Sequence, residues 1–204
     1  MKKIITALAI SSLFIACGSE KEETVENQED KVLEDDSQEK PIDYSELREF
    51  PMSDYDLEAV LFIPQKHYID GDENDQLEDP LIDHAEGEAF WDLSMRSDKN
   101  WKITVEDWAD VEKSIALEKE IHKETAEVYD YNYIEEGEDY LLYQRALTTG
   151  GTTMDEKTAS KLPNFHFVVV KKINGTYITI KSNDLGEFRK ISVEKMMNAA
   201  RAMK

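Results

Sequence analysis

The side chains that could do chemistry are few. The histidines, His67, His84, His122 and His166, stand in no H-E-x-x-H or H-x-x-x-H spacing. They therefore do not offer the imidazole pair on one helix turn that zinc sites use. Glu118 and His122 are four residues apart and would share a helix face, but two ligands do not close a zinc site, and the spacing reads as a surface pair. His166, in the apolar run FHFVVV, reads as a partly buried structural residue. Asp70 to Asp75 begins like an EF-hand loop, with oxygen-bearing residues at positions one, three and five. Asp75 then stands where glycine makes the sharp turn, and Leu81 stands where a bidentate glutamate is needed. The stretch reads as a solvated acidic loop, with weak calcium binding as the alternative. There is no G-x-S-x-G, no P-loop and no G-x-G-x-x-G among the 8 glycines. No catalytic residue, cofactor or metal site is assigned. Paired carboxylates would suffice for a glycan hydrolase, and acidic residues are abundant, but a sequence contains no distances.

Arg145 is the most unusual charge, because it falls inside an expected strand. It would contact a ligand carboxylate, sit at a sheet edge, or snorkel its stem along the surface. Trp91, Trp101, Trp108 and the alternating Tyr129, Tyr131 and Tyr133 could line a carbohydrate or peptide groove. Core packing is the stronger reading for the tryptophans, and a half-exposed sheet face for the tyrosines.

The 1 cysteine lies in LFIACGSEKEE. Residues 1–16 have two lysines and then an almost uncharged apolar run, the plan of a secretory signal. The run is shorter than the ~20 residues of a transmembrane helix. Leu13-Phe14-Ile15-Ala16-Cys17 resembles the lipobox of bacterial lipoproteins. That resemblance implies cleavage before Cys17 and acylation of it, including palmitate-type chains that anchor the protein in a membrane. Gly18 in place of Asp favours the outer membrane by the same resemblance. Ser19-Glu20-Lys21-Glu22-Glu23 looks like the acidic surface-export signal of Bacteroidota lipoproteins, begun a residue or two late, and implies a cell-surface position; a plain acidic tether, such as many lipoproteins have, is the alternative. Residues 20–40 carry ten acids and three lysines, a net of −7, with no aromatic residue. Such a segment cannot bury enough apolar surface to fold and stays extended by repulsion. The expected organisation is signal 1–16, lipidated cysteine and acidic tether 17–49, and a globular domain 50–204. The net charge of −21 disfavours nucleic acid as a partner.

The elements that must position any site follow from hydrophobic period. Strands are expected at 57–63, 89–95, 101–105, 129–133, 139–147, 165–170 and 176–180. A helix is expected from Trp108 to about Thr125, with Trp108, Val111, Ile115 and Ile121 along one side. FHFVVV reads as a central strand covered on both faces, and Asn174-Gly175 as a type I′ turn. Ser192 is the expected N-cap of a last helix whose Val193, Met196, Met197, Ala200 and Met203 form a stripe. Together these predict an α+β domain: a mostly antiparallel sheet of about six to seven strands with two packing helices. The plan is loosely similar to the Mog1/PsbP-like fold, through an early strand ending in Ile63-Pro64 and a late hairpin followed by a helix. The expected function is a non-enzymatic binding or accessory module of the cell envelope, with an envelope protein or glycan as partner. The alternative is the glycan hydrolase.

Overall fold

The computed structural model describes residues 40–66, 77–149, 152–153 and 164–204. Cys17, the signal, the tether up to residue 39, His67, residues 70–76 of the acidic loop and Gly150-Gly151 lie outside the described residues.

The α+β class is as expected. One antiparallel sheet has strand order β3-β4-β5-β10-β9-β7-β6, with the short β8 attached to β7. Its strands are β3 (Leu81–Asp83), β4 (Phe90–Ser94), β5 (Lys102–Asp107), β6 (Tyr129–Glu136), β7 (Tyr140–Thr149), β8 (Thr152–Thr153), β9 (Phe165–Ile173) and β10 (Thr176–Ser182). A second sheet pairs β1 (Leu47–Pro51) with β2 (Val60–Pro64), Leu47 opposite Pro64. The helices are α1 (Ile115–Glu124) and α2 (Lys190–Arg201).

Period two along the strands separates two faces. Trp91 and Leu93, Ile103 and Val105, Tyr140 and Leu142, Phe167 and Val169, and Ile178 and Ile180 face the main core. Val193, Met196, Met197 and Ala200 of α2 close it, as their spacing predicts, and β1 and β2 pack on the same side. Each large side chain buried here contributes about 1.5–3 kcal/mol. The opposite face holds a smaller cluster: Ile115 of α1 on Leu141, Tyr143, Val168 and Val170. β9 is interior and buried on both faces, as its unbroken apolar run implies.

The β9–β10 hairpin turns at Asn174 and Gly175 with φ of 52° and 92°. Positive values at both are what a type I′ turn needs.

Several expectations are corrected. β1 was not anticipated, so the folded part starts before Phe50. Asp43 is tied to α2 as well: its N–H donates to Asn198 Oδ1 at 2.9 Å, and Asn198 Nδ2 donates to its carbonyl at 2.6 Å. α1 begins at Ile115 instead of Trp108. Trp108 and Ala109 extend the ladder, through Trp108 N–H to Tyr177 O and Tyr177 N–H to Ala109 O, both 2.8 Å. The Ser114 hydroxyl then accepts from Leu117 N–H and caps the helix. α2 begins at Lys190 after Arg189, which places Ser192 inside its first turn and not at the cap.

Candidate functional site

The crossover from β5 to β6 lays α1 over the second sheet face, and there the helix buries Ile115 of its expected apolar side but turns Ile121 outward. Ile115 and His122 are buried, Glu118 is half-buried, and Leu117 and Ile121 are exposed. Positions i, i+3 and i+7 share a helix face, so Glu118 and His122 share one as expected, but it is the inward face. Glu118 and His122 are therefore not a surface pair.

The reason lies on the sheet beneath. β6 and β7 present an aromatic floor, and the His122 ring stacks on Tyr131 at 4.0 Å with an interplanar angle of 9°. It also lies 4.6 Å from the Tyr143 ring, and its Nδ1 is 3.3 Å from the Tyr133 hydroxyl. The Thr125 hydroxyl meets the Tyr131 hydroxyl at 2.9 Å. An imidazole fits this stack where a branched aliphatic chain would leave the hydroxyls unpaired.

His166 of β9 lies on the other side of Tyr143, ring centroids 5.8 Å apart. It is fully buried. Nε2 is 3.2 Å from Asn164 Oδ1, and Nδ1 is 2.9 Å from Ser182 Oγ. Asn164 Oδ1 can only accept, so Nε2 carries the proton and Nδ1 accepts from the serine. Burial, then the Arg145 charge, push the pKa of both His122 and His166 down to about 4. Both are neutral at pH 7. Burial pushes the Tyr143 hydroxyl up.

Beside the stack lies a charged array on the same face. Arg145 of β7 places its guanidinium 4.8 Å over the Tyr129 ring. It donates to Asp184 Oδ1 at 3.3 Å and to the Asp184 carbonyl at 2.9 Å. Lys181 of β10 pairs with Glu106 of β5 at 2.7 Å and with Asp184 at 3.6 Å. Burial opposes its charge, yet the Glu106 hydrogen bond holds the Lys181 pKa above the usual lysine value. Glu118 is half-buried on the inward face of α1, and burial raises its pKa against the opposing pull of Lys113 and Lys181. The charges of Glu106 and Asp184 add to the rise. Under the array, the Thr179 hydroxyl is buried without a hydrogen-bond partner.

The other expected features fall elsewhere. His84 stacks on Trp91 at 4.8 Å and its Nδ1 lies 2.9 Å from Phe90 O. Trp91 and Trp101 are core residues, whereas Trp108 is partly exposed under the Lys113 ammonium, 3.4 Å from its ring centroid. Tyr129 and Tyr131 are half-buried and Tyr133 exposed, the half-open sheet face expected of them. Arg145 is not at an edge, since β7 lies between β9 and β6. A cavity of about 890 Å³ opens on the α2 side between Pro41–Leu47, Pro64–Lys66 and the helix; it contains none of the perturbed groups of the α1-side face, only Asp43, whose carboxyl the Ser45 N–H holds below its usual pKa. Among the described residues no three His, Cys, Asp or Glu side chains group to hold a metal ion, and no helix is long and apolar enough to cross a membrane. Of the charged array, Glu118 stands out in the sequence only through its spacing from His122, and Lys181, Glu106 and Asp184 do not stand out at all. Lys181 and Glu106 alternate with apolar residues in strands and Asp184 lies on a turn, which also describes ordinary solvated positions.

No protein-family model matches the chain, and no curated protein matches it.

Proposed function

We propose that the chain is an outer-membrane lipoprotein, anchored through acyl chains on Cys17 and exposed at the cell surface. Its folded domain is a binding module of the envelope, and the α1-side sheet face is the binding surface. The lipobox-like Leu13–Cys17 and the acidic segment after it support the anchor. The observation that carries the binding reading is the charged array of Arg145, Lys181, Asp184 and Glu106 beside Tyr129, built at interior strand positions and left partly open. Core-facing helices and strands ordinarily bury apolar stripes; here the fold devotes half of one sheet face to fixed charges and rings. The likeness in plan to Mog1/PsbP-like domains belongs to the same reading, through β2 ending in Ile63-Pro64 and the β9–β10 hairpin leading into α2.

One observation favours a second reading, glycan hydrolysis. Burial first, and the Glu106 charge after it, push the Glu118 carboxyl up, as is needed of the general acid of a carboxylate pair. The two readings separate in one experiment. Native protein, Arg145→Gln/Lys181→Gln and Glu106→Gln/Glu118→Gln are expressed in cells and cross-linked in place. Envelope glycans are then assayed for cleavage. The binding reading expects cross-linked adducts that disappear in the Arg145/Lys181 variant and no cleavage by any form. Adducts indifferent to the Arg145/Lys181 change contradict it, and cleavage abolished by the two glutamines replaces it with the hydrolase.

A further inference from the structure

Arg145 and Lys181 start from strands separated by β9, and from positions four residues apart along it, opposite Asn164 and Val168, yet both heads end at one carboxylate. Their side chains are largely covered, 16% and 27% exposed. Asp184 is different. It lies on the turn after β10, its side chain 56% exposed, next to Leu185 at 95%. The turn is tied at its start, where Asn183 N–H donates to Lys102 O and Asn183 Nδ2 donates to Asp92 Oδ1, each at 3.2 Å, and at its end, where Phe188 is buried and its carbonyl accepts from Phe165 N–H; Asp184 and Leu185 reach out between the two anchors. The carboxylate contacts are long, 3.3 Å to Arg145 and 3.6 Å to Lys181. Charge-assisted bonds settle at about 2.7–2.9 Å, and Lys181 achieves this with Glu106 at 2.7 Å. Two covered, pre-positioned cations thus hold an exposed carboxylate loosely.

The local charge selects what could replace it. Arg145 and Lys181 contribute two positive charges, and Glu106 cancels one. Room remains for a single negative charge. A phosphate dianion would exceed that single charge, whereas a carboxylate matches both the charge and the planar fork of the guanidinium. The Thr179 hydroxyl, 1% exposed, unpartnered and two residues from Lys181 on the same strand face, is a further donor at the base of the array. Buried hydroxyls rarely stay unpaired.

We propose that Arg145 and Lys181 form a carboxylate-binding site, that Asp184 occupies it as an internal stand-in, and that a ligand carboxylate takes its place as the Asp184-Leu185 turn moves outward. This rests on the reading of the α1-side face as a binding surface and names the ligand group that it takes. The carboxylate belongs to a peptide C-terminus or to a uronic acid; the recognition chemistry is shared.

The test uses the full mature chain and measures binding by NMR shift perturbation. The probes are N-acetyl-Ala-Ala, its C-terminal amide, glucuronate and glucose. Asp184→Asn should bind at least one carboxylate probe tenfold more tightly than the native chain, and the matching neutral probe not at all. Preference for the dipeptide or for glucuronate assigns the source, and either supports the site. Adding Arg145→Gln to Asp184→Asn should abolish binding while the amide spectrum stays folded. Equal affinity of the native and Asp184→Asn chains, equal binding of acid and neutral probes, or no carboxylate binding by Asp184→Asn overturns the proposal. In those cases, adducts that still depend on Arg145 and Lys181 in cells would leave the binding face standing without the stand-in.

Discussion

Replacing His166 by glutamine removes a buried proton acceptor whose contribution can be worked out. In the folded chain its pKa is about 4, against 6.5 for an unperturbed histidine. The folded state therefore binds fewer protons than the unfolded state between those values, and stability falls as pH drops through that window. The cause is visible in the contacts. Nδ1 must stay unprotonated to accept from Ser182, and a cation there would be desolvated beside Arg145. A shift of about 2.5 units corresponds to roughly 3 kcal/mol in full, of which about 2.5 kcal/mol should be lost between pH 7.5 and 4.5. Carboxylates titrate in the same range, so the informative quantity is the difference between two proteins. Urea unfolding of the native chain and of His166→Gln, followed by tryptophan fluorescence at intervals across this range, supplies it. The variant should be less stable at neutral pH and should converge on the native chain as pH falls. Parallel profiles with a constant gap would refute the idea that neutral His166 carries this dependence.

Other changes act on the supports. Ser114→Ala removes the α1 cap and should cost about 1 kcal/mol, loosening amide protection in α1 while leaving α2 unaffected by hydrogen exchange. Gly186→Ala would drive a Cβ into the ring of the buried Phe188 and should lower stability by about 1–3 kcal/mol. Gly175→Ala meets nothing within 4 Å, so its cost, about 1–2 kcal/mol, comes from the backbone alone; a clearly larger loss from Gly175→Ala than from Gly186→Ala in thermal unfolding would contradict this distinction.

Much of the fold was legible because one periodic signal dominated each element. FHFVVV announced the doubly covered β9, Asn174-Gly175 its turn, and the Val193-to-Met203 stripe the closing helix. β1 was missed since Leu47–Pro51 mixes Arg and Glu with few apolar residues and gains its place by pairing with β2 and by the ties of Asp43 to α2. β3 and β8 have 3 and 2 residues, too short for any period to emerge. The orientation of α1 was legible at Ile115, which is buried, and not at Ile121, which is exposed, for a physical reason. Ile121 is more apolar than Glu118 and His122, but the floor beneath is tyrosine and hydroxyl, and partner chemistry outranked hydrophobicity. Arg145 stood out as a charge within a strand. Its neighbours Lys181 and Glu106 did not, because their meeting depends on β10 lying next to β5, an adjacency between segments some seventy residues apart.

Attachment of the chain through Cys17 is tested most directly by metabolic labelling with an alkyne fatty acid, followed by fractionation of native and Cys17→Ala proteins. The native protein should take up the label and stay with outer membranes through a high-salt wash. Cys17→Ala should take up none and be recovered either soluble or as uncleaved precursor. Equal labelling of the two, or retention of an unlabelled, cleaved Cys17→Ala protein in washed membranes, would show that acyl chains on Cys17 are not what holds this domain at the envelope.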